Sequence, residues 1–331
     1  MSRVALVTGG CGFVGRNLVR SLLADNDEIW IVDDLSTGRH PDEWLSPEDR
    51  GRVTFIEDTA VMVFGAAPDA QPDWPEFEEA YHLASIVGGR KNIEEQPLQV
   101  GIDLAIDSLF FSWVWRSGRV GRVLYASSSA AYPVELQGTD GAVALEEKYI
   151  DFASNQIAMP DMTYGWSKLT GEYLAFLLAR QHGVPTCSIR PFSGYGEDQD
   201  LTYPVPAIAA RAAAREDPLV VWGSGHQGRD FVHIEDCVDA MRLAIRAVED
   251  GSGLNIGSGT LTSFLEVARL FANLAGYEPE VHGTQTGPVG VHARYADVTE
   301  SEKRLDWQPR ISISEGFGRV LAARERELAT G

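Results

Sequence analysis

The chain has few cysteines, the residues that mark disulfide-rich proteins and many zinc proteins. Its 331 residues include only three cysteines, Cys11, Cys187 and Cys237, which lie far apart and form no CxxC pair. We therefore expect neither a disulfide framework nor a zinc cluster, and we predict no metal site. The cysteine content suits a reducing cytoplasm.

Long apolar runs and basic clusters are also missing. No stretch reaches the roughly 18 apolar residues that a membrane helix needs, and the segment from Met1 to Leu6 lacks the pattern of a signal peptide. The formal net charge is −20, from 28 Lys and Arg against 48 Asp and Glu. Such a polyanion repels nucleic acid and acidic lipid. We expect a cytoplasmic protein with neither nucleic acid nor membrane as a partner.

What is present indicates an α/β fold. Hydrophobic residues make up 44% of the chain, which is enough to build a core. Short apolar runs alternate with helical patterns in the first half. The predicted strands cover residues 3–8, 28–32, 53–56, 80–84, 122–126 and 184–189, and the predicted helices cover 13–24, 102–115 and 164–181. This alternation predicts a doubly wound parallel sheet with helices on both faces.

A glycine-rich turn follows the first predicted strand and opens a helix. Gly9, Gly12 and Gly15 give the spacing GxxGxxG. Glycines there permit a tight turn and let backbone N–H groups approach a pyrophosphate, to which the helix N-terminus adds partial positive charge. Asp33 ends the second strand, where a carboxylate binds ribose hydroxyls and repels a 2′-phosphate, so NAD is favoured over NADP. Asp58, after the third strand, is a candidate contact for the adenine end.

The second half differs in character, because Pro and Gly cluster at 190–196 and 222–228. Helical patterns follow at 206–215, 234–248, 263–275 and 298–305. We predict a dinucleotide-binding domain over residues 1–189 with a returning segment at about 230–260. A smaller C-terminal substrate-binding lobe is predicted over 190–229 and 261–331.

A tyrosine, a lysine and a serine-rich strand end supply candidate catalytic groups. Tyr164 and Lys168 have i, i+4 spacing, which puts them on one helix face. An ammonium beside a phenol stabilises the phenolate, so the tyrosine can act as a general base or acid. Ser127, Ser128 and Ser129 follow a parallel strand, whose carboxyl end faces the crevice where ligands bind. One of these serines is expected to bond to the reacting hydroxyl, while others tie down the turn.

These patterns together resemble one family. From its first strand to about residue 308, the chain resembles the extended short-chain dehydrogenase/reductases that act on nucleotide sugars. The resembling positions are residues 8–15, Asp33, 82–84, 127–132, 164–168, 190–192, 195–196, 228–233 and 255–257. The resemblance implies a Rossmann-type fold, NAD as cofactor, a nucleotide-diphosphate sugar as substrate, and a homodimer formed through the helices at 102–115 and 164–181.

The resemblance also implies roles for individual residues. Tyr164 is the catalytic base, Lys168 holds the nicotinamide ribose, and Ser128 is the hydroxyl partner. The expected cofactor contacts are Gly9, Gly12, Phe13, Val14, Gly15, Asp33, Asp58, Leu83, Tyr164, Lys168 and Pro191. The expected substrate contacts are Arg90, Ser128, Ser193, Arg229 and Arg294. Two of them stand where the chain departs from the family: Ser193 replaces the family's Asn after Arg-Pro-Phe, and Arg294, or alternatively His292, substitutes for an arginine that is absent near Gly287. Arg229 resembles the arginine that grips the diphosphate, whereas a solvated loop arginine is the alternative for Arg90.

Departures from the family narrow the reaction. Family dehydratases carry Asp-Glu directly after the hydroxyl residue, and decarboxylases expect a glutamate at or beside position 130, where this chain has Ser129 and Ala130. No lysine lies between Lys168 and Lys303, so the lysine used by the GDP-mannose 3,5-epimerases is missing. The remaining chemistry is 4-epimerisation of a hexose, heptose or uronate through a 4-keto sugar.

Three alternatives stay open at this point. A 4-ketoreductase or dehydrogenase would use the same residues but release reduced cofactor. An epimerase acting at C3 or C5 would resemble the GDP-mannose 3,5-epimerases. A cofactor-sensing regulatory protein of the same fold would be no enzyme, although such proteins usually lack Tyr or Lys of the YxxxK pattern, and Tyr164 and Lys168 are both present.

Overall fold

The computed structural model describes residues 3–25, 28–86, 90–139, 142–154, 156–287 and 290–330. The strands are β1 (Val4–Thr8), β2 (Glu28–Asp33), β3 (Val53–Glu57), β4 (Phe77–His82), β5 (Val120–Ala126), β6 (Thr186–Pro191), β7 (Ser193–Tyr195), β8 (Leu219–Val221), β9 (Gly228–Arg229), β10 (Phe231–His233), β11 (Asp250–Ile256), β12 (Thr262–Ser263), β13 (Val281–Gly283) and β14 (Ala293–Arg294). The α-helices are α1 (Phe13–Ala24), α2 (Pro47–Arg50), α3 (Ala60–Gly65), α4 (Arg90–Glu95), α5 (Pro97–Val100), α6 (Asp103–Ser117), α7 (Met162–His182), α8 (Pro204–Ala213), α9 (Ile234–Ala247), α10 (Phe264–Leu274), α11 (Thr299–Leu305) and α12 (Ile313–Thr330).

Seven parallel strands form the main sheet in the order β11-β6-β5-β4-β1-β2-β3. Alternate residues of β1 enter different cores: Leu6 packs on the side of α3, α6 and α7, whereas Ala5 and Val7 pack on the side of α1 and α9. This confirms the predicted doubly wound α/β fold. Because the chain runs outward from β1 in both directions, the carboxyl ends of β1 and β4 border a crevice, where ligands bind in such sheets.

A second group of helices packs away from the main sheet. Helices α8, α10 and α12 enclose an aromatic core in which Phe271 and Phe317 stack at 4.6 Å. The sequence analysis did not predict α12, although Phe317, Val320 and Leu321 have the i, i+3, i+4 spacing of a buried helix face. The short strands β12, β9 and β14 form a separate three-stranded sheet.

The chain returns to the main sheet late in the sequence. Strand β11 pairs with β6 at one edge, and α9 packs on the same face as α1. The domain boundaries given above stay a prediction.

The three cysteines are buried and unpaired. One helical segment, Pro97–Ser117, has the length and mean hydropathy of a membrane span. The sequence analysis predicts no such span. The match is a weak indication, because core helices of soluble proteins can have the same length and hydropathy, and 44% of the apolar 18-residue window in this segment is buried inside the protein. Phe110 and Trp113 of α6 lie in the core beside the sheet.

Candidate active site

The turn between β1 and α1 has room only for glycine at two of its positions. Gly9 has a φ of +68°, and a Cβ there would lie 2.8 Å from the backbone nitrogen of Ala84. A Cβ on Gly15 would lie 2.1 Å from the carbonyl oxygen of Gly9. Gly12 is the N-cap of α1 and adds no side chain to the helix N-terminus. The result is a backbone-lined cradle at a helix N-terminus, which fits the pyrophosphate of a dinucleotide.

Asp33 is held beside this cradle. Its Oδ2 accepts a hydrogen bond from the Cys11 N–H and its Oδ1 accepts one from the Leu35 N–H, each at 2.9 Å. Burial raises the pKa of Asp33 above its usual value, and the two backbone donors oppose that rise. The carboxylate therefore has a fixed orientation at the end of β2, the position from which a ribose is bound in this fold.

The other predicted cofactor residues gather at the same edge of the sheet. Phe13 and Val14 begin α1, and the exposed Asp58 follows β3. Leu83 follows β4, where its N–H donates to the carbonyl oxygen of Thr8, and Pro191 ends β6. The described residues thus fit NAD along the crevice.

Tyr164 and Lys168 lie in the first two turns of α7. The Lys168 Nζ is 5.7 Å from the centre of the Tyr164 ring and 5.2 Å from that of Tyr125. Burial lowers the pKa of Lys168, but electrostatic attraction to the oxygen of Tyr164 and to the carboxylates of Asp107 and Asp103 outweighs burial and raises the pKa overall. Lys168 is therefore a fixed positive charge beside the half-buried Tyr164.

Ser128 lies in a turn that packs against the start of α7. Its Oγ accepts a hydrogen bond from the Ala130 N–H at 3.1 Å. A Cβ on Gly165 would lie 2.4 Å from the carbonyl oxygen of Ala130, so only glycine lets helix and turn approach this closely. Ser127 instead bonds through its hydroxyl to the buried Glu172, which is a structural contact. Ser128 thus lies in the segment packed against the helix turn that carries Tyr164.

Beneath the lysine lies a buried network that the sequence analysis did not predict. Thr8 Oγ1 is 2.7 Å from His82 Nδ1, and His82 Nε2 is 3.1 Å from Asp107 Oδ1. The Tyr125 hydroxyl donates to Asp107 Oδ2 at 2.6 Å. Burial lowers the pKa of His82, which favours the neutral ring. One sequence feature could have predicted this network: Asp103 and Asp107 are two acids with i, i+4 spacing in a mostly apolar helix.

Three predicted substrate residues meet in one cluster. Arg229 of β9 and Arg294 of β14 are directly opposite in register. Arg90 Nη1 and Arg294 Nη2 each donate to Asp161 Oδ2 at 2.7 Å. Burial lowers the pKa of Arg229 to about 9, and the positive charges of Arg294 and Arg90 add to this effect. An anion such as a diphosphate would be stabilised among these guanidinium groups.

Ser193 and Asp161 lie near the arginine cluster. Ser193 begins β7, and its N–H donates to the carbonyl oxygen of Asp230 at 2.8 Å, directly after Arg229 in the chain. Asp161 was not among the predicted site residues. Its sequence neighbourhood gave no signal, because its partners Arg90 and Arg294 are distant in the chain.

The comparison with known families decides the family. The NAD dependent epimerase/dehydratase family matches residues 5–257. The chain belongs to this family. NAD is the family's cofactor, in agreement with the glycine cradle and Asp33, so the predicted family and cofactor are confirmed.

Individual relatives share the length of the chain. It is 27% identical to the UDP-glucose 4-epimerase of Mycolicibacterium smegmatis over 96% of each chain. It is also 27% identical to UDP-glucuronic acid decarboxylase 1 of Xenopus tropicalis, over 98% of this chain and 72% of the relative. The structure of MoeE5 in complex with UDP-glucose and NAD is similar with a TM-score of 0.76 and 26% identity, over 98% of this chain and 99% of MoeE5. Since these names cover two reactions, the site residues must distinguish them.

Proposed function

We propose that this member of the family is an NAD-dependent 4-epimerase of a nucleotide-diphosphate sugar. The observation that carries the proposal is the Tyr164–Lys168 pair beside a turn without a carboxylate. Residues 127–132 read Ser-Ser-Ser-Ala-Ala-Tyr. A dehydratase needs an acid here to eliminate water, and a decarboxylase of this family carries a glutamate here, whereas 4-epimerisation needs only one group that moves a proton at O4.

The chain's own residues supply the proton transfer and the orientation. Tyr164 takes the proton from the C4 hydroxyl as a phenolate, which the fixed charge of Lys168 stabilises, and it returns the proton as the neutral phenol. Ser128 shares a hydrogen bond with the reacting oxygen. The glycine cradle and Asp33 would hold NAD, which would supply a reversible hydride acceptor for C4. The cluster of Arg90, Arg229 and Arg294 holds the diphosphate so that the sugar can turn while its anchor stays in place.

A nuclear magnetic resonance experiment tests this function. The purified protein, without added NAD, is incubated in turn with UDP-glucose, UDP-galactose, UDP-glucuronate and dTDP-rhamnose, and the C4 configuration is followed. We expect inversion at C4 of at least one sugar with no accumulation of NADH. Accumulation of NADH in proportion to product would identify a dehydrogenase, release of carbon dioxide would identify a decarboxylase, and inversion at C3 or C5 would contradict the assigned carbon.

We further propose that the protein is a homodimer that works in the cytoplasm. Helices α6 and α7 pack against each other and expose large apolar side chains to solvent, among them Trp115 of α6 and Trp166 of α7. Large apolar side chains exposed on two adjacent helices support an interface with a second copy. The three unpaired thiols support a reducing compartment.

A further inference from the structure

One buried carboxylate connects the arginine cluster. Asp161 is only 4% exposed, and its Oδ2 accepts two hydrogen bonds, from Arg90 Nη1 and from Arg294 Nη2. Arg90 begins α4, which packs against α7, whereas Arg294 belongs to β14 of the small three-stranded sheet. A single oxygen atom therefore holds guanidinium groups from two separate parts of the fold.

The backbone of Asp161 ties the same residue to the catalytic segments. Its N–H donates to the carbonyl oxygen of Ala130 at 2.9 Å, in the turn that follows Ser128. Its carbonyl oxygen accepts the Gly165 N–H at 2.8 Å, which is the first hydrogen bond of α7. Since Tyr164 lies in that same helix turn, the positions of the arginines and of the catalytic tyrosine share one anchor.

Without this carboxylate the arginines would lack a shared partner. Arg90 also donates through Nε to Glu94 at 2.6 Å, and Arg294 donates through Nε to Gln137 Oε1 at 2.5 Å. These contacts hold the Nε of each guanidinium, and Asp161 holds a second nitrogen of each. Arg90 Nη2 makes one further contact, at 3.6 Å to Met162 Sδ, which is a weak acceptor. Two fixed contacts orient a planar guanidinium far better than one, because they remove its rotation about the remaining hydrogen bond.

We propose that Asp161 is a positioning residue that orients Arg90 and Arg294 to receive the diphosphate of the nucleotide sugar. The proposal rests on the proposed function and deepens it, because it names the group that sets the strength of the substrate anchor. Asp161 acts through the two arginines and touches no reacting atom. Its loss therefore weakens binding of the nucleotide part and leaves proton transfer by Tyr164 largely intact.

Calorimetric titration of the NAD-loaded protein with UDP, dTDP and GDP tests the proposal, since these nucleotides carry the diphosphate but no sugar. For the nucleotide that the wild type binds most tightly, we expect Asp161→Asn to weaken binding about 10-fold or more. The KM for the matching sugar nucleotide should rise by a similar factor, with kcat within about 3-fold of the wild type. Asp161→Ser serves as a second variant, because serine is favoured at a helix N-cap and preserves the start of α7.

Glu95→Gln, on the same helix as Arg90, is the matched control, since it removes a carboxylate that pairs with Lys91 and leaves Asp161 and Glu94 in place. We expect its nucleotide affinity to stay within about 2-fold of the wild type, because that ion pair is exposed. Unchanged or tighter nucleotide binding by Asp161→Asn and Asp161→Ser would overturn the proposal and make Asp161 a competitor of the diphosphate. A fall in kcat with unchanged KM would overturn it as well. A wild type that binds none of the three nucleotides would overturn the proposed function itself.

Discussion

Lys168 shows how burial and charge compete at a single residue of the site. The side chain is only 3% exposed, and burial alone would favour the neutral amine. Asp103 and Asp107, fully buried on α6, lie close enough with Tyr164 to reverse that preference and raise the pKa. The site therefore keeps a charged ammonium in a nearly dry environment, where its effect on a neighbouring phenol is stronger than in water.

Removal of the Tyr164 hydroxyl tests the assigned base. Tyr164→Phe keeps the ring beside Lys168 but can move no proton, so we expect turnover to fall by a factor of about 100 or more. Epimerisation is followed by nuclear magnetic resonance, and the NAD content of each preparation is measured alongside. Tyr173→Phe, an exposed position on the same helix, is the control and should keep full activity. Full turnover by Tyr164→Phe would refute the assignment.

His82 makes the stability of the protein depend on pH. Burial lowers its pKa below the usual 6.5, so the unfolded chain takes up a proton at a higher pH than the folded protein does. The neutral His82 ring therefore contributes fully to the free energy of unfolding above pH 6.5. This contribution is lost as the pH falls through 6.5 toward the lowered pKa, by at most about 1.4 kcal/mol per pH unit. Chemical unfolding between about pH 7.5 and about pH 5.5 should show a smaller loss of unfolding free energy in His82→Gln than in the wild type. Identical slopes would contradict this effect, and above about pH 7.5 the two proteins should run parallel.

At the scale of the element, α1 depends on how closely it approaches β1. The carbonyl oxygen of Gly9 lies where a side chain on Gly15 would begin, so the helix can enter the crevice only with glycine at that position. The same close approach brings the helix N-terminus to the cradle. Both the packing of α1 on β1 and the binding of the cofactor therefore depend on the absence of a Cβ at Gly15.

Two glycine substitutions in helices should have opposite effects. Gly15→Ala places a Cβ against backbone and forces α1 away from β1, so we expect a lower melting temperature, a cost of about 1–3 kcal/mol and loss of most bound NAD. Gly318→Ala, in α12, adds a Cβ with no atom within 4 Å. It should stabilise the protein by about 0.5–1 kcal/mol, because alanine loses less backbone freedom in a helix. Thermal unfolding and NAD absorbance after purification measure both changes, and retention of NAD by Gly15→Ala would contradict the role of the cradle.

At the scale of the whole molecule, the exposed faces of α6 and α7 carry the proposal of a dimer. Light scattering after size exclusion should give the mass of two chains for the wild type. Trp166→Glu places a charge on the proposed interface and should shift the protein toward the mass of one chain, since burial of an unpaired charge is costly. Trp222→Glu, at a tryptophan that is more exposed than Trp166 and lies outside these helices, is the control for mass and should stay dimeric. A wild type with the mass of one chain would refute the dimer.

The sequence by itself determined the features that depend on neighbours in the chain. Gly9, Gly12 and Gly15 predicted the cradle because turn, strand and helix are adjacent, and apolar runs predicted the parallel sheet. Tyr164 and Lys168 predicted a shared helix face because one helical turn separates them. Fold class and cofactor followed from these local patterns, the family followed from the resemblance that they carry, and all three are confirmed. The carboxyl edge of the sheet was predictable as the site because all of its strands are parallel.

Only the tertiary structure decided what depends on distant partners. Asp161 and Arg294 are 133 positions apart, and no local pattern pairs a helix N-cap with a two-residue strand. Likewise Thr8, His82 and Asp107 belong to separate elements, and their network exists only because β1, β4 and α6 pack together. The arginines could be singled out one by one, but their common carboxylate could not, since a buried ion pair forms only where packing brings both charges out of water.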